Sequence, residues 1–350
     1  MIGLGSDIGG SLRSPVAFCG AWSLKPTVGR HLSQAGVVSA AGAPVCIPVT
    51  GGYMTRSARA LEQAWRSTWA LTTGHNIGHD PLILPPVWSQ SLYDKKPTVG
   101  YFTGPGIIPP ATGCVRAVEE TKTLLEEAGY TVVPVPAPDI RKVLHYFNGI
   151  VLADGIENMH KTMKWDVYDS SLNGLVAAIT AYNVPRIIRD TLLYPLIGLF
   201  TRAPPIRTLF SRTADLWDGH QEVLTMISDY LTMMDSAGVD LILCPGQMLP
   251  APPTGELGTM VAGVLTYIPW NLFNFPAGIA PVTEWSAEDD EKMEAEYPRD
   301  DMITRMISGY CSGGQARGLP VSVQLVSRPH QDEMVLKMLS TLEQLTKNKT

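Results

Sequence analysis

Thr98-Val99-Gly100-Tyr101-Phe102, a helical pattern from Cys114 to Ala128, Gly129, and then Thr131-Val132-Val133-Pro134-Val135 decide the reading of the fold. Two short strand patterns flank an amphipathic run that a glycine stops, which is the signature of one β-α-β unit. Outward from it lie three more apolar runs, Val239 to Cys244, Ala277 to Val282 and Leu319 to Val326, each bounded by Gly or Pro as buried strands are. Helical spacing predicts a helix over Ala58 to Leu71, with Arg56-Ser57 at its start, and another over Glu333 to Leu345. Residues 1–30 read as a Gly-, Ser- and Pro-rich loop region, and Asn76 to Lys96, with Pro81, Pro85 and Pro86, as a surface excursion. The expected fold class is α/β, a mixed twisted sheet covered by helices, forming a single domain over 1–350.

Residues 172–210 follow a different pattern. Leu175-Val176, Ile179, Ile187-Ile188, Leu192-Leu193 and Leu196-Ile197 alternate with Arg186, Arg189, Arg202 and Arg207. The longest uncharged apolar piece, Leu192 to Phe200, has nine residues and includes Pro195, well short of the roughly 20 a spanning helix needs. The pattern fits an insertion lying on a membrane surface, and equally an ordinary core-facing helical hairpin with solvated arginines.

With 350 residues, 45% of them hydrophobic, the chain can bury a large core. Its net charge of −6 comes with scattered Lys and Arg, so nothing supplies a phosphate-backbone footprint and nucleic acid is excluded as the expected partner. Cys19, Cys46, Cys114, Cys244 and Cys311 are odd in number and widely spaced, which argues against a disulfide framework and points to a reducing compartment. Met1 to Asp7 lacks the basic and apolar regions of a secretory signal.

The chemistry concentrates at Ile8-Gly9-Gly10-Ser11. Amide hydrolysis needs a nucleophile, a proton acceptor, and donors aimed at the oxygen that turns negative. Two adjacent glycines let successive N–H groups converge beside the Ser11 hydroxyl, while Asp7 before the turn and Arg13 after it are placed to support the loop. By composition alone the stretch fits a phosphate cradle or a plain glycine turn as well. However, there is no Gly-Lys-Ser/Thr, Gly3-Leu4-Gly5-Ser6-Asp7-Ile8 lacks the last glycine of a dinucleotide fingerprint, and Arg13 occupies the fifth place of a G-x-S-x-G elbow.

Gly3-Leu4-Gly5-Ser6-Asp7-Ile8-Gly9-Gly10-Ser11-Leu12-Arg13-Ser14-Pro15, with Phe18-Cys19-Gly20 and Leu24-Lys25-Pro26-Thr27, closely resembles the amidase-signature family. The resemblance continues through Met54-Thr55-Arg56-Ser57, Phe275-Pro276-Ala277-Gly278 and Gly318-Leu319-Pro320-Val321 to Gln324, and so covers nearly the whole chain. Within the family, the 172–210 insertion, Trp270-Asn271 and Ala287-Glu288-Asp289-Asp290 look most like the animal fatty-acid amide hydrolase branch.

The resemblance implies a serine hydrolase that cleaves long-chain fatty-acid amides through an acyl-enzyme, without a cofactor. It implies Ser11 as the nucleophile and the N–H groups of Ile8, Gly9, Gly10 and Ser11 as the oxyanion hole, each donor worth about 3 kcal/mol in the transition state. The family's bridging serine and base lysine lie before the Gly-Gly-Ser turn. Here ten residues precede Ser11, none of them lysine, so the chain alone is expected to lack its general base and to be inactive or nearly so. Lys25 matches the family's segment after the nucleophile, not the base. Acyl-channel positions fall on or near Leu152, Tyr267, Trp270 and Phe273, which serve equally well as core residues. A bilayer-dissolved substrate implies an intracellular chain at the cytosolic membrane face, and the branch implies a homodimer. The alternatives are an amidase of other amides or esters and a catalytically dead lipid-binding remnant.

Two further constellations stand in the sequence. His75, His79 and Asp80 carry ligand types for zinc, but Gly74 and Gly78 break the helix that would align them, so no metal is expected. A Ser11–Asp154–His330 triad is the kind of drawing any chain with seven histidines permits.

Overall fold

The computed structural model describes residues 1–31, 46–47, 49–72, 83, 87–151, 153–154, 157, 161, 188, 212–254, 263 and 265–348. Among them one sheet of eight strands runs in the order β1-β3-β2-β7-β8-β6-β4-β5. The strands are β1 (Ile2–Asp7), β2 (Trp22–Lys25), β3 (Thr50–Thr55), β4 (Val99–Tyr101), β5 (Val132–Pro134), β6 (Leu241–Pro245), β7 (Ala277–Glu284) and β8 (Pro320–Ser327). β4 pairs parallel with both β5 and β6, and the remaining pairs are antiparallel, which makes the sheet mixed, as expected.

The β-α-β unit forms as read. Its helix, α4 (Thr112–Glu127), buries Cys114, Ala117, Val118, Thr121, Leu124 and Leu125 at helical spacing. Gly129, at φ 80°, ends it, and Tyr130 N–H reaches back to Leu125 O at 2.9 Å. α2 (Ala58–Thr72) buries Leu61, Trp65 and Trp69 on one face. α10 (Asp332–Lys347) lies on the same face of the sheet, and Arg30 after β2 holds its first turn by bonding Asp332 at 3.2 Å and Glu333 at 2.8 and 2.9 Å. The other helices are α1 (Arg13–Phe18), α3 (Gln90–Asp94), α5 (Ile140–Val151), α6 (Thr213–Ser236), α7 (Ile268–Leu272), α8 (Ala287–Glu296) and α9 (Met302–Cys311).

Residues 1–30 depart from the loop expected of them. β1 is a regular strand with Ile2 opposite Thr55 and Asp7 opposite Thr50. Its glycines meet a packing demand: a Cβ on Gly5 would lie 3.0 Å from Leu12 Cδ1 and 3.2 Å from Met54 Cε, so the strand carries no side chain where its neighbours press against it. β3, the central partner of β1 and β2, contains Gly51-Gly52, and no sequence signal marked it. The Asn76–Lys96 excursion includes a short helix, α3, capped by the Ser89 side chain. Leu152, the His75–Asp80 group and, apart from Ile188, the 172–210 insertion fall outside the described residues. No helix among the described residues is long and apolar enough to cross a membrane.

Candidate active site

β1 runs into the turn at Ile8-Gly9-Gly10-Ser11, and α1 starts immediately after it, so Ser11 stands at the end of a strand with its residue surface exposed. Two hydrogen bonds set the turn. Gly10 N–H donates to Asp7 Oδ1 at 2.8 Å, and Ser14 N–H donates to Gly10 O at 2.7 Å. A trans peptide points its N–H opposite to its C=O. With Gly10 C=O turned into the first turn of α1, the Ser11 N–H is therefore turned away from α1.

The Gly10 N–H points inward to Asp7, so it does not join the four-donor set read from the sequence. The carboxylate outcompetes the open side of the turn because a charged acceptor makes the stronger bond. Among the described residues no protein group accepts from the Ile8, Gly9 or Ser11 N–H. Gly10 holds φ 115°, and a Cβ there would meet the Tyr267 ring at 2.6 to 2.7 Å.

Beneath the turn lies a fully buried ion pair. Arg13 Nε–H donates to Asp7 Oδ2 at 2.9 Å and Arg13 Nη2–H to Asp7 Oδ1 at 3.1 Å. The remaining guanidinium donors reach Gln324 Oε1 at 2.8 Å, Asn271 Oδ1 at 2.5 Å, and Tyr267 O at 3.2 and 3.3 Å. Asn271 Nδ2 returns a bond to Asp7 Oδ1 at 2.8 Å. Burial pushes the Asp7 carboxyl up, but the Arg13 charge and hydrogen bonds, with Asn271 and Lys25, outweigh it and hold Asp7 down to about 2. The loop-support assignment of Asp7 and Arg13 thus acquires a geometry. Asn271 and Gln324 were not singled out as site residues, although a lone Gln inside the apolar run Leu319 to Val326 was a legible signal of a buried polar partner.

The three described acyl-channel positions, Tyr267, Trp270 and Phe273, separate. Tyr267 is buried behind the turn, its ring against Gly10 and its hydroxyl donating to Gly246 O. Trp270 and Phe273 lie apart from it in an aromatic cluster, with Tyr230 and Phe275 at centroid distances of 5.9 to 6.1 Å. The cavity beside Trp270, walled by Phe102, Ile140 and Leu265, has about 10 Å³, room for one water and not for an alkyl chain. The side chain that approaches the turn from α5 is Phe147, whose Cζ stands 3.4 Å from a Cβ built on Gly9.

No lysine, histidine or serine side chain among the described residues is hydrogen-bonded to the Ser11 hydroxyl. His330 is exposed after β8, its N–H on Thr27 Oγ1, and Asp154 is exposed beyond α5. No group of His, Cys, Asp and Glu among the described residues is arranged to hold a metal ion.

Lys25 is fully buried, donating to Pro26 O at 3.0 Å. Burial, then Arg13, pull its amine down to about 7 against the opposing pull of Asp7 and Asp332. In the unfolded chain the same amine holds its proton to about 10.5, so between these values the unfolded state binds more protons and stability rises with pH. Urea unfolding between pH 7 and 8, below the range in which the buried cysteines and tyrosines ionise in the unfolded chain, is expected to show this rise, at most about 1.4 kcal/mol per pH unit, and Lys25→Met is expected to flatten it. An unchanged slope in the variant would assign the effect elsewhere.

An eight-stranded mixed sheet covered by helices, with an exposed serine on a double-glycine turn above a buried Asp–Arg pair, places the molecule among mixed α/β proteins. The chain belongs to the amidase family, whose model matches residues 1–336. It is 31% identical over 347 residues to fatty acid amide hydrolase 1 of Caenorhabditis elegans, covering 98% of this chain and 59% of that protein. It is 30% identical over 351 residues to fatty-acid amide hydrolase 1 of Sus scrofa, with the same coverage of 98% and 59%. The solved structure of a fatty acid amide hydrolase matches the fold with a TM-score of 0.73 at 22% identity, over 99% of this chain and 56% of that one. The chain thus spans less than two thirds of the length of these relatives.

Proposed function

We propose that this chain carries the nucleophile and oxyanion turn of a hydrolase that cleaves long-chain fatty-acid amides. Ser11 Oγ attacks the amide carbonyl carbon and gives up its proton. The carbonyl oxygen, now negative, sits against the outward N–H groups of Ile8, Gly9 and Ser11, where each donor is worth about 3 kcal/mol. The C–N bond then breaks, the amine leaves with a proton, and water hydrolyses the serine ester to free the fatty acid. The proton acceptor for Ser11 comes from outside the described residues, because a serine hydroxyl is a weak nucleophile until a base takes its proton.

The observation that carries this reading is the Ser14 N–H to Gly10 O bond, which turns the Ser11 N–H out beside an exposed hydroxyl. The substrate class rests on the two relatives of about 30% identity, both named for fatty-acid amides. The basic amphipathic pattern of 172–210 supports an entrance at a membrane surface. A second reading, hydrolysis of short amides, draws support from the closed space beside Trp270.

Labelling with a fluorophosphonate tests the nucleophile. Chain supplied with a base-bearing segment from a relative is expected to label at Ser11, and Ser11→Ala is expected to lose at least about 99% of the label. Equal labelling of the two would remove Ser11 from the mechanism. Oleamide turned over faster than acetamide supports the lipid class, and the reverse order supports the second reading.

A further inference from the structure

Asn271 occupies a position that the nucleophile turn itself does not require. Among the described residues its side chain is the one neutral group bonded to both partners of the buried pair: Nδ2 donates to Asp7 Oδ1 at 2.8 Å and Oδ1 accepts from Arg13 Nη2 at 2.5 Å. Asp7 Oδ1 is the same oxygen that receives the Gly10 N–H at 2.8 Å. One carboxylate oxygen therefore serves Gly10, Asn271 and Arg13, and its lone pairs are shared among donors from a turn, a helix and the ion-pair partner.

We infer that Asn271 is a positioning residue for the oxyanion turn, acting through Asp7 on the Gly9–Gly10 peptide. Arg13 grips both oxygens of Asp7, but its bond to Oδ1, the oxygen that faces Gly10, is the longer of the two, 3.1 Å against 2.9 Å to Oδ2. The Asn271 amide adds a 2.8 Å bond to that same oxygen and so keeps it in line with the Gly10 N–H. It offers a donor to the oxygen that faces Gly10 and an acceptor to the guanidinium edge beside it, a pair of complementary bonds that only a side-chain amide of this length makes here. With Oδ1 held, the Gly10 N–H stays inward, and the planar peptide keeps the Gly9 C=O outward. Gln324 plays the matching part at the other edge of Arg13. Its Oε1 accepts from Nη1 at 2.8 Å, while its Nε2 donates to Thr266 O at 2.9 Å and so fixes which way the amide faces. Both amides come from segments remote from the turn, Asn271 on α7 and Gln324 on β8.

The role claimed for Asn271 rests on the proposed function of Ser11, so its test reads the turn without using the chemistry. Glycine-selective isotope labelling of the full chain allows amide exchange at Gly10 to be followed by NMR beside Gly51 and Gly52 of β3. Asn271→Leu is expected to speed exchange at Gly10 by at least about tenfold while Gly51 and Gly52 keep wild-type rates. Asn271→Asp, which preserves shape, provides a second variant. With one proton shared between its carboxyl and Asp7 it remakes both bonds and protects Gly10. Once that proton is lost, with Arg13 and Lys25 the cations facing the pair, two carboxylates repel and protection falls. Gly10 protection in this variant that drops with rising pH, where wild type shows no such drop, is the expected signature. Wild-type protection of Gly10 in both variants overturns the proposal, as does acceleration that is equal at all three glycines. Ser11 labelling of wild-type chain supplied with the base-bearing segment, measured in parallel, separates the two readings: loss of Gly10 protection in Asn271→Leu with no labelling of that supplied wild type would sink the nucleophile and leave the positioning role standing.

Discussion

Gly10→Ala is expected to lose at least about 3 kcal/mol of stability, the sum of a forbidden backbone conformation and a steric overlap. At φ 115° a residue with a Cβ is strained before any neighbour is considered. The added methyl then meets Tyr267 Cδ2 at 2.6 Å and its Cβ and Cγ at 2.7 Å. Tyr267 cannot step back, because its hydroxyl is bonded to Gly246 O and its own carbonyl receives two bonds from Arg13. The turn must open instead, and Ser11 reactivity is expected to go with it. Gly9→Ala supplies the contrast. Its new Cβ finds only Phe147 Cζ, at an ordinary 3.4 Å, and the expected cost is under about 1 kcal/mol. Thermal or urea unfolding of the two variants measures the difference, and equal losses would contradict the assigned roles.

Arg13→Met has the second large effect. Among the described residues it removes the one cation bonded to the fully buried Asp7 carboxylate, and breaking such a pair costs about 3–5 kcal/mol. The pH dependence carries the diagnosis. In the wild type, Asp7 ionises at about 2 in the fold and near 3.8 unfolded, so its contribution is fully present above about 4 and lost as pH falls through 2. The shift corresponds to about 2 kcal/mol. In Arg13→Met, desolvation is left as the leading influence on Asp7 and its folded value rises above the unfolded one. The variant's deficit is then largest at pH 7 and shrinks as pH falls toward 4, where Asp7 takes up a proton. Urea unfolding at these two pH values checks the sign. A deficit that grows on acidification would show that Asp7 does not depend on Arg13 for its charge.

The β-α-β unit, the later strands β6, β7 and β8, and the helices α2 and α10 were legible because each combines a period with a stop signal, such as Gly129 after α4. β1 and β3 were not, because their glycines erase the alternation that marks a strand. At Gly5 that absence of a side chain is the packing requirement itself, with Leu12 and Met54 filling the space. The aromatic positions show the same limit. Tyr267, Trp270 and Phe273 lie within seven residues of one another, yet the fold sends Tyr267 behind the turn and the other two into a cluster with Tyr230. Nothing in a linear spacing distinguishes the two destinations, because α7 occupies only five residues and its faces are assigned by the elements packed around it.

Local residue types in fixed order carry the mixed α/β class, Ser11 as a candidate nucleophile and the amidase resemblance. Tertiary structure alone decided what the turn does with its donors. Two adjacent glycines are equivalent on paper, but Asp7, held by Arg13 six residues on and by Asn271 of α7, with Gln324 of β8 bonded to the far edge of Arg13, draws the Gly10 N–H inward, while α1 turns the Ser11 N–H away. Hydrogen-bond direction is a property of planar peptides placed in space, and it is set by partners up to 311 residues away along the chain.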